Sequence, residues 1–149
     1  MIARIYPRAL ALLSLLALFF GPPALAQSED DQAAVLAANS EFYRAFRESD
    51  HPAMKDIWAE TGPMAVEHPS TGRIEGRERV IASWERMMMA PPRITCALES
   101  IGYQDGLWGV VCNEQLNPGS VRMINIFKSE DGEWRMVYHG PAPDVGPSS

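Results

Sequence analysis

Positive charge is scarce in this chain. Lys and Arg number 13 against 19 Asp and Glu, a formal charge of −6, and no basic cluster stands anywhere along it. That balance argues against nucleic acid or anionic membrane surfaces as partners. Cysteine is scarcer still: Cys96 and Cys112 are sixteen residues apart with no histidine near them, a poor zinc signal. No Gly-rich phosphate loop precedes a helix, and no Gly-x-Ser-x-Gly elbow occurs. Nucleotide binding and acyl-enzyme chemistry are therefore not expected, and neither cysteine has the setting of a nucleophile.

Long apolar runs are missing except at the start. Arg4 and Arg8 precede the run Ala9 to Phe20, and Ala24-Leu25-Ala26 supplies small residues around a cleavable bond. This order reads as a signal peptide over 1–26, cut before Gln27, for a periplasmic or secreted protein. The run is shorter than the 18 or so residues of a membrane span, so no membrane association is expected after cleavage. An uncleaved anchor is the alternative. Without Arg4 and Arg8 the chain keeps 11 basic and 19 acidic residues, or −8. Residues 27–143 are long enough for one domain with its own core, and 144–149 read as a loose tail.

What is present falls into two halves. From Asp31 to Phe46, apolar Val35, Ala38, Phe42 and Phe46 recur at helical spacing, with Leu36 and Tyr43 widening the stripe. Asp50 is a good N-cap for a short second helix containing Met54, Ile57 and Trp58. "PMAVEH" reads as a strand stopped by Pro69, followed by a turn and a short extended piece to Gly76. A third helix from about Arg77 carries Val80, Ile81, Trp84, Met87 and Met88 on one stripe, and "APP" ends it. After Pro92 the period becomes two, giving four strands joined by "GYQDG", "NPG" and "SEDGE". Three helices packed over the concave face of a strongly curved antiparallel sheet make an α+β fold, with room for a small molecule between the layers.

The turn "GYQDG" also sets the cysteine geometry. If Gly102 pairs with Gly106, Cys96 falls opposite Cys112 and a cross-strand disulfide can close. A two-residue slip forbids it, and the sequence leaves both registers open.

The phrases "ANSEFYRAFRESDHPAMKDIW", "EHPSTGRIEGRERVIASW" and "NIFKSEDGEWRMVYH", in this order, resemble the SnoaL-like domain of the nuclear transport factor 2-like superfamily. The resemblance covers nearly all of Ala38 to Pro143. It implies a conical α+β barrel, often a homodimer through its sheet, with a pocket beneath the helices. Ketosteroid isomerase, limonene epoxide hydrolase and polyketide cyclases are similar in fold. In the isomerase an aspartate corresponds to His68, and a catalytic tyrosine corresponds to Phe42. Here histidine replaces the acid and Tyr43 is displaced by one residue, about 100° around a helix. Both departures weigh against steroid isomerisation.

His68 is the foremost candidate for chemistry, because imidazole can accept or donate a proton near neutral pH. Its competing role is a hydrogen bond that shapes the turn before Pro69. Tyr43 or Tyr138 would supply an oxyanion donor if either points inward. Glu114 alternates with Val110 and Cys112 on an inward face, so it must be paired or protonated. Asn125, inside "MINIF", would need partners for a buried amide. Trp58 and Trp84 complete the candidate pocket lining. His139 could pair with His68 around a metal, but no third ligand at suitable spacing is evident, so neither metal nor cofactor is expected. The reading is an exported binding module for a small apolar or carbonyl-containing molecule. Its rivals are a cofactor-free isomerase, cyclase or hydratase using His68, and a structural dimerisation domain.

Overall fold

The computed structural model describes residues 24–69 and 71–144. The expected cut before Gln27 falls inside the first helix, while most of the expected signal and tail lie outside the described residues. Among the described residues there are three helices, α1 (Ala24–Glu48), α2 (His51–Ile57) and α3 (Arg77–Met87). Six strands accompany them: β1 (Ala65–His68), β2 (Gly72–Glu75), β3 (Thr95–Gln104), β4 (Leu107–Gln115), β5 (Ser120–Glu130) and β6 (Glu133–Pro141). No helix among them is long and apolar enough to cross a membrane.

Local chemistry sets the helix boundaries. The Asp50 carboxylate accepts the Ala53 N–H at 3.1 Å and also binds Arg44, so the start of α2 is locked to α1. Ser49 adopts a positive φ of 53° in the connecting turn, and its hydroxyl donates to the Met88 carbonyl at 2.7 Å. This bond ties the α1–α2 turn to the end of α3. Gly76 supplies the φ of 86° that turns β2 into α3, a conformation that a side chain would strain.

The six strands form one sheet in the order β2-β1-β6-β5-β4-β3. The meander from β3 to β6 is antiparallel throughout. The sheet as a whole is mixed, which corrects the expectation of an antiparallel one. β1 and β2 form their own hairpin, and β1 joins β6 in parallel through Ala65–Tyr138 and Val66–His139. The chain enters β1 from α2 at the end where β6 begins, as the Trp58–Met136 bridge shows, and the two strands then run alongside.

Strict alternation on β4 and β5 buries Trp108, Val110, Cys112 and Glu114, with Met123, Asn125 and Phe127 beside them. These residues face Val35, Asn39, Phe42, Tyr43 and Phe46 of α1, and the core lies between. Burial of such side chains is worth about 1.5–3 kcal/mol each, which makes this layer contact the main source of stability. Trp58 is 0 % exposed and belongs to this core.

β6 departs from alternation. The β5–β6 register shifts between Ile126 and Phe127, so that Phe127 pairs with Met136 but Ile126 pairs with Tyr138. Val137 is the extra residue, and the bulge turns both Met136 and His139 inward. Tyr138 is left on the outer face, where Arg73 stacks on its ring at 5.8 Å.

Cys96 and Cys112 are joined, with their Cα atoms 5.1 Å apart. Directly opposite Cys96 stands Glu114, and opposite Cys112 stands Leu98. The register is thus the slipped one, and the bond closes diagonally beside the bulge between Leu98 and Ser100. The expectation that such a slip prevents the bond is corrected by that geometry.

Candidate functional site

A cavity of about 70 Å³ lies between α1, α3 and the inner face of the sheet. At roughly 10–15 Å³ for one water, it has room for about five to seven non-hydrogen ligand atoms. Its deep wall is apolar and aromatic, formed by Phe42, Phe46, Trp84 and Met123. Pro69, Met87, Ile94, Leu116 and Val121, all half-buried or exposed, surround its mouth. Four polar side chains interrupt the apolar lining: Tyr43, His68, Glu114 and His139.

His68 ends β1 and is buried. Its Nε2 lies 3.1 Å from Ser83 Oγ, while the Ser83 hydroxyl donates to the Val80 carbonyl at 2.7 Å. A hydroxyl has one proton, so Ser83 must accept from His68, and the neutral ring carries its hydrogen on Nε2. Nδ1 is left as a lone pair. The ring stands edge-on to Trp84 with centroids 4.7 Å apart. Burial, and then the positive charge of Arg86, lower its pKa, so it is neutral at pH 7.

Tyr43 donates to Glu114 Oε1 at 2.6 Å and accepts from Asn125 Nδ2 at 3.3 Å. Burial raises the Glu114 pKa, and the Tyr43 hydrogen bond opposes this. Burial, then the Glu114 charge, raise the Tyr43 pKa, so the phenol keeps its proton. Asn125 is the hub of this network. Its Nδ2 donates to Asn39 Oδ1 at 2.7 Å, and its Oδ1 lies 2.7 Å from His139 Nδ1. Asn39 Nδ2 in turn contacts both disulfide sulfurs, at 3.8 and 3.7 Å.

An amide oxygen only accepts, so His139 Nδ1 carries the proton and Nε2 is a lone pair. Nε2 lies 4.0 Å from Glu114 Oε1, beyond direct hydrogen bonding. Burial, then neighbouring His68, push the His139 pKa down to about 3. The cavity therefore presents two neutral imidazole lone pairs and one carboxyl group. Among the described residues, no group of three or more His, Cys, Asp or Glu is arranged to hold a metal.

Of the candidate residues, Tyr43, His68, Trp84 and Glu114 share this cavity. Asn125 lies one layer behind it, holding Tyr43 and His139. Trp58 packs in the core instead, and Tyr138 faces outward because of the Val137 bulge. The sequence reading missed His139 as a lining residue, along with Asn39 and Ser83. Asn39 interrupts the apolar stripe of α1, and Ser83 that of α3. A polar residue at a core position was the available signal for both.

The family model for the SnoaL-like domain matches residues 35–142, which include every residue of this site. The chain belongs to the SnoaL-like domain family. No curated protein matches it. Among solved structures, this SnoaL-like chain is similar to a candidate calcium/calmodulin-dependent protein kinase type II association domain from Thiobacillus denitrificans. Identity is 27%, the TM-score is 0.61, and the match covers 72% of this chain and 94% of the other. A candidate dehydratase of the nuclear transport factor 2-like family from Streptomyces avermitilis is 20% identical, with a TM-score of 0.63, over 79% and 99% of the two chains. A protein of unknown function from Silicibacter pomeroyi is 18% identical at a TM-score of 0.59, over 76% and 95%. The last two, below a quarter identical, speak for the fold alone.

Proposed function

We propose that this SnoaL-like protein binds a small, largely apolar molecule in the cavity between its helices and its sheet. The convergence of His68, Glu114 and His139 on one otherwise apolar wall carries the reading. Burying three titratable groups is costly, and such groups gather where a ligand will meet them. The test is native mass spectrometry of the purified protein, followed by a thermal-shift screen of small apolar compounds. A mass lost on denaturation, or a compound that raises the melting temperature, supports the reading. Bare protein together with no shift across the screen overturns it.

Acid–base catalysis is the second reading, and the Glu114–His139 geometry favours it. A carboxyl group whose pKa is raised by burial faces a neutral imidazole across 4.0 Å. That pairing suits a cofactor-free isomerase, cyclase or hydratase, with His68 as an additional base. Turnover of any substrate found should then fall at least a hundredfold in Glu114→Gln, and undiminished turnover would exclude this role.

Export and dimerisation belong to the same proposal. The outer sheet face, with half-buried Val111, Ile124 and Ile126 beside exposed Leu107, is the surface for a second copy. Sedimentation at several concentrations tests the dimer. A mature mass beginning at Gln27 tests export.

A further inference from the structure

We infer that the ligand of this cavity carries a hydroxyl group, an alcohol or phenol, seated between Glu114 and His139. The inference rests on the cavity being a binding site and specifies what that site selects.

The observation behind it is a count of protons. Each polar side-chain hydrogen of Tyr43, His68, Ser83, Asn125 and His139 is already committed inside the protein. Tyr43 gives its proton to Glu114, His68 to Ser83, Ser83 to the Val80 carbonyl, and His139 to Asn125. Asn125 donates to Asn39 and Tyr43. The Trp84 indole N–H has no partner, but it is fully enclosed in the wall and offers nothing to a ligand. Acceptors remain in excess: His139 Nε2, His68 Nδ1 and the Glu114 carboxyl group.

A ligand that can only accept is poorly served by such a wall. With Glu114 ionised, a carbonyl oxygen finds no donor at all. With Glu114 protonated, it finds one and still leaves both imidazole lone pairs facing apolar atoms. A hydroxyl group answers both states. It donates to the carboxylate when Glu114 is ionised. When Glu114 is protonated it accepts that proton and donates its own to His139 Nε2, completing a chain from Tyr43 through Glu114 to the ring.

The spacing fits this arrangement. Across the 4.0 Å between Nε2 and Oε1, one oxygen can lie about 2.8 Å from each, with an angle of roughly 90° at the oxygen, within hydrogen-bonding range. The carbon skeleton then points along Phe42, Phe46 and Trp84 toward the mouth. The sequence led to the expectation of a small apolar or carbonyl-containing molecule; the seat between Glu114 and His139 calls for a hydroxyl group on it instead.

The test uses three molecules of one size: cyclohexanol, cyclohexanone and methylcyclohexane, titrated into the purified protein by calorimetry. Cyclohexanol should bind roughly tenfold more tightly than cyclohexanone, the value of one net hydrogen bond. When cyclohexanol is added, the ¹⁵N resonance of His139 Nε2 should move in the direction of a gained hydrogen bond where Glu114 is protonated, and the ¹³C resonance of the Glu114 carboxyl should move where it is ionised. In His139→Phe the alcohol–ketone ratio should fall close to one. Equal or tighter binding of cyclohexanone overturns the inference but leaves the binding site standing. So does bound cyclohexanol that moves neither of these resonances, a measurement that needs no variant to fold. Absence of binding by all three overturns both.

Discussion

Tyr43 and Glu114, 71 residues apart in sequence, meet through a 2.6 Å hydrogen bond that joins α1 to β4 inside the core. The bond explains how a carboxyl group is tolerated on a strand face otherwise made of Trp108, Val110 and Cys112.

Tyr43→Phe removes the donor and keeps the ring. Glu114 is then buried without its partner, at a cost of about 1–3 kcal/mol. Replacing both residues, as Tyr43→Phe with Glu114→Met, should cost less than the sum of the single changes, because no polar atom is stranded. Urea unfolding of the four proteins measures the coupling. Strict additivity would show that the bond contributes nothing.

The pH profile follows from the buried titratable groups. His139 has a folded pKa of about 3 against an ordinary 6.5. Between those values the unfolded chain takes up a proton that the folded chain refuses. Stability from this group is therefore complete above pH 6.5 and is lost as pH falls toward 3. His68 acts in the same direction. Glu114 acts oppositely: its raised folded pKa gives stability that is present below 4.5 and lost as pH rises. His139→Gln should be less stable than the parent near neutrality, and the gap should close by on the order of 4 kcal/mol during acidification. A gap independent of pH would mean that His139 titrates normally. Glu114→Gln should gain on the parent as pH rises above 4.5.

Periodicity made much of this architecture legible. The stripe Val35, Phe42, Phe46 announced α1, and "LWGVVCNEQ" placed Glu114 with the buried face of β4. The parallel β1–β6 pairing was not legible, because two short-range hairpins say nothing about which edges later meet. Nor was the position of His139. Counting by twos from Met136 puts Tyr138 inside and His139 outside, and one bulged residue at Val137 inverts that order. Bulges carry no strong sequence signal, so the site's second histidine was hidden by one residue. The disulfide was obscured in the same way, since a cross-strand register argument assumes an unbroken ladder.

The Cys96–Cys112 bond closes a separation of 16 residues at the edge of the sheet. A loop of that length predicts about 3 kcal/mol of stabilisation in the chain-entropy account. Cys96→Ala combined with Cys112→Ala should lose about that amount, and reduction of the parent protein should match it. Unchanged melting under reducing conditions would show that the thiols are unjoined in solution. The Asn39 amide would lose its sulfur contacts in the variant, so a further effect on the Asn125 network is expected in the ring resonances of His139.

On the outer face, Tyr138 lies over Gly140. A Cβ at position 140 would stand 2.6 Å from Tyr138 Cζ, inside any permitted contact. Gly140→Ala must therefore push the ring off its seat, away from Arg73, at a cost of about 1–3 kcal/mol for overpacking. In a Tyr138→Ala background the same change meets no ring, and its cost should fall below about 0.5 kcal/mol. Denaturant unfolding of the four combinations gives the coupling directly. Because the bulge at Val137 turns Tyr138 away from the cavity, none of these changes should alter ligand affinity there. A loss of cyclohexanol binding in Tyr138→Ala would place the ring at the cavity after all, and with it the order of side chains along β6.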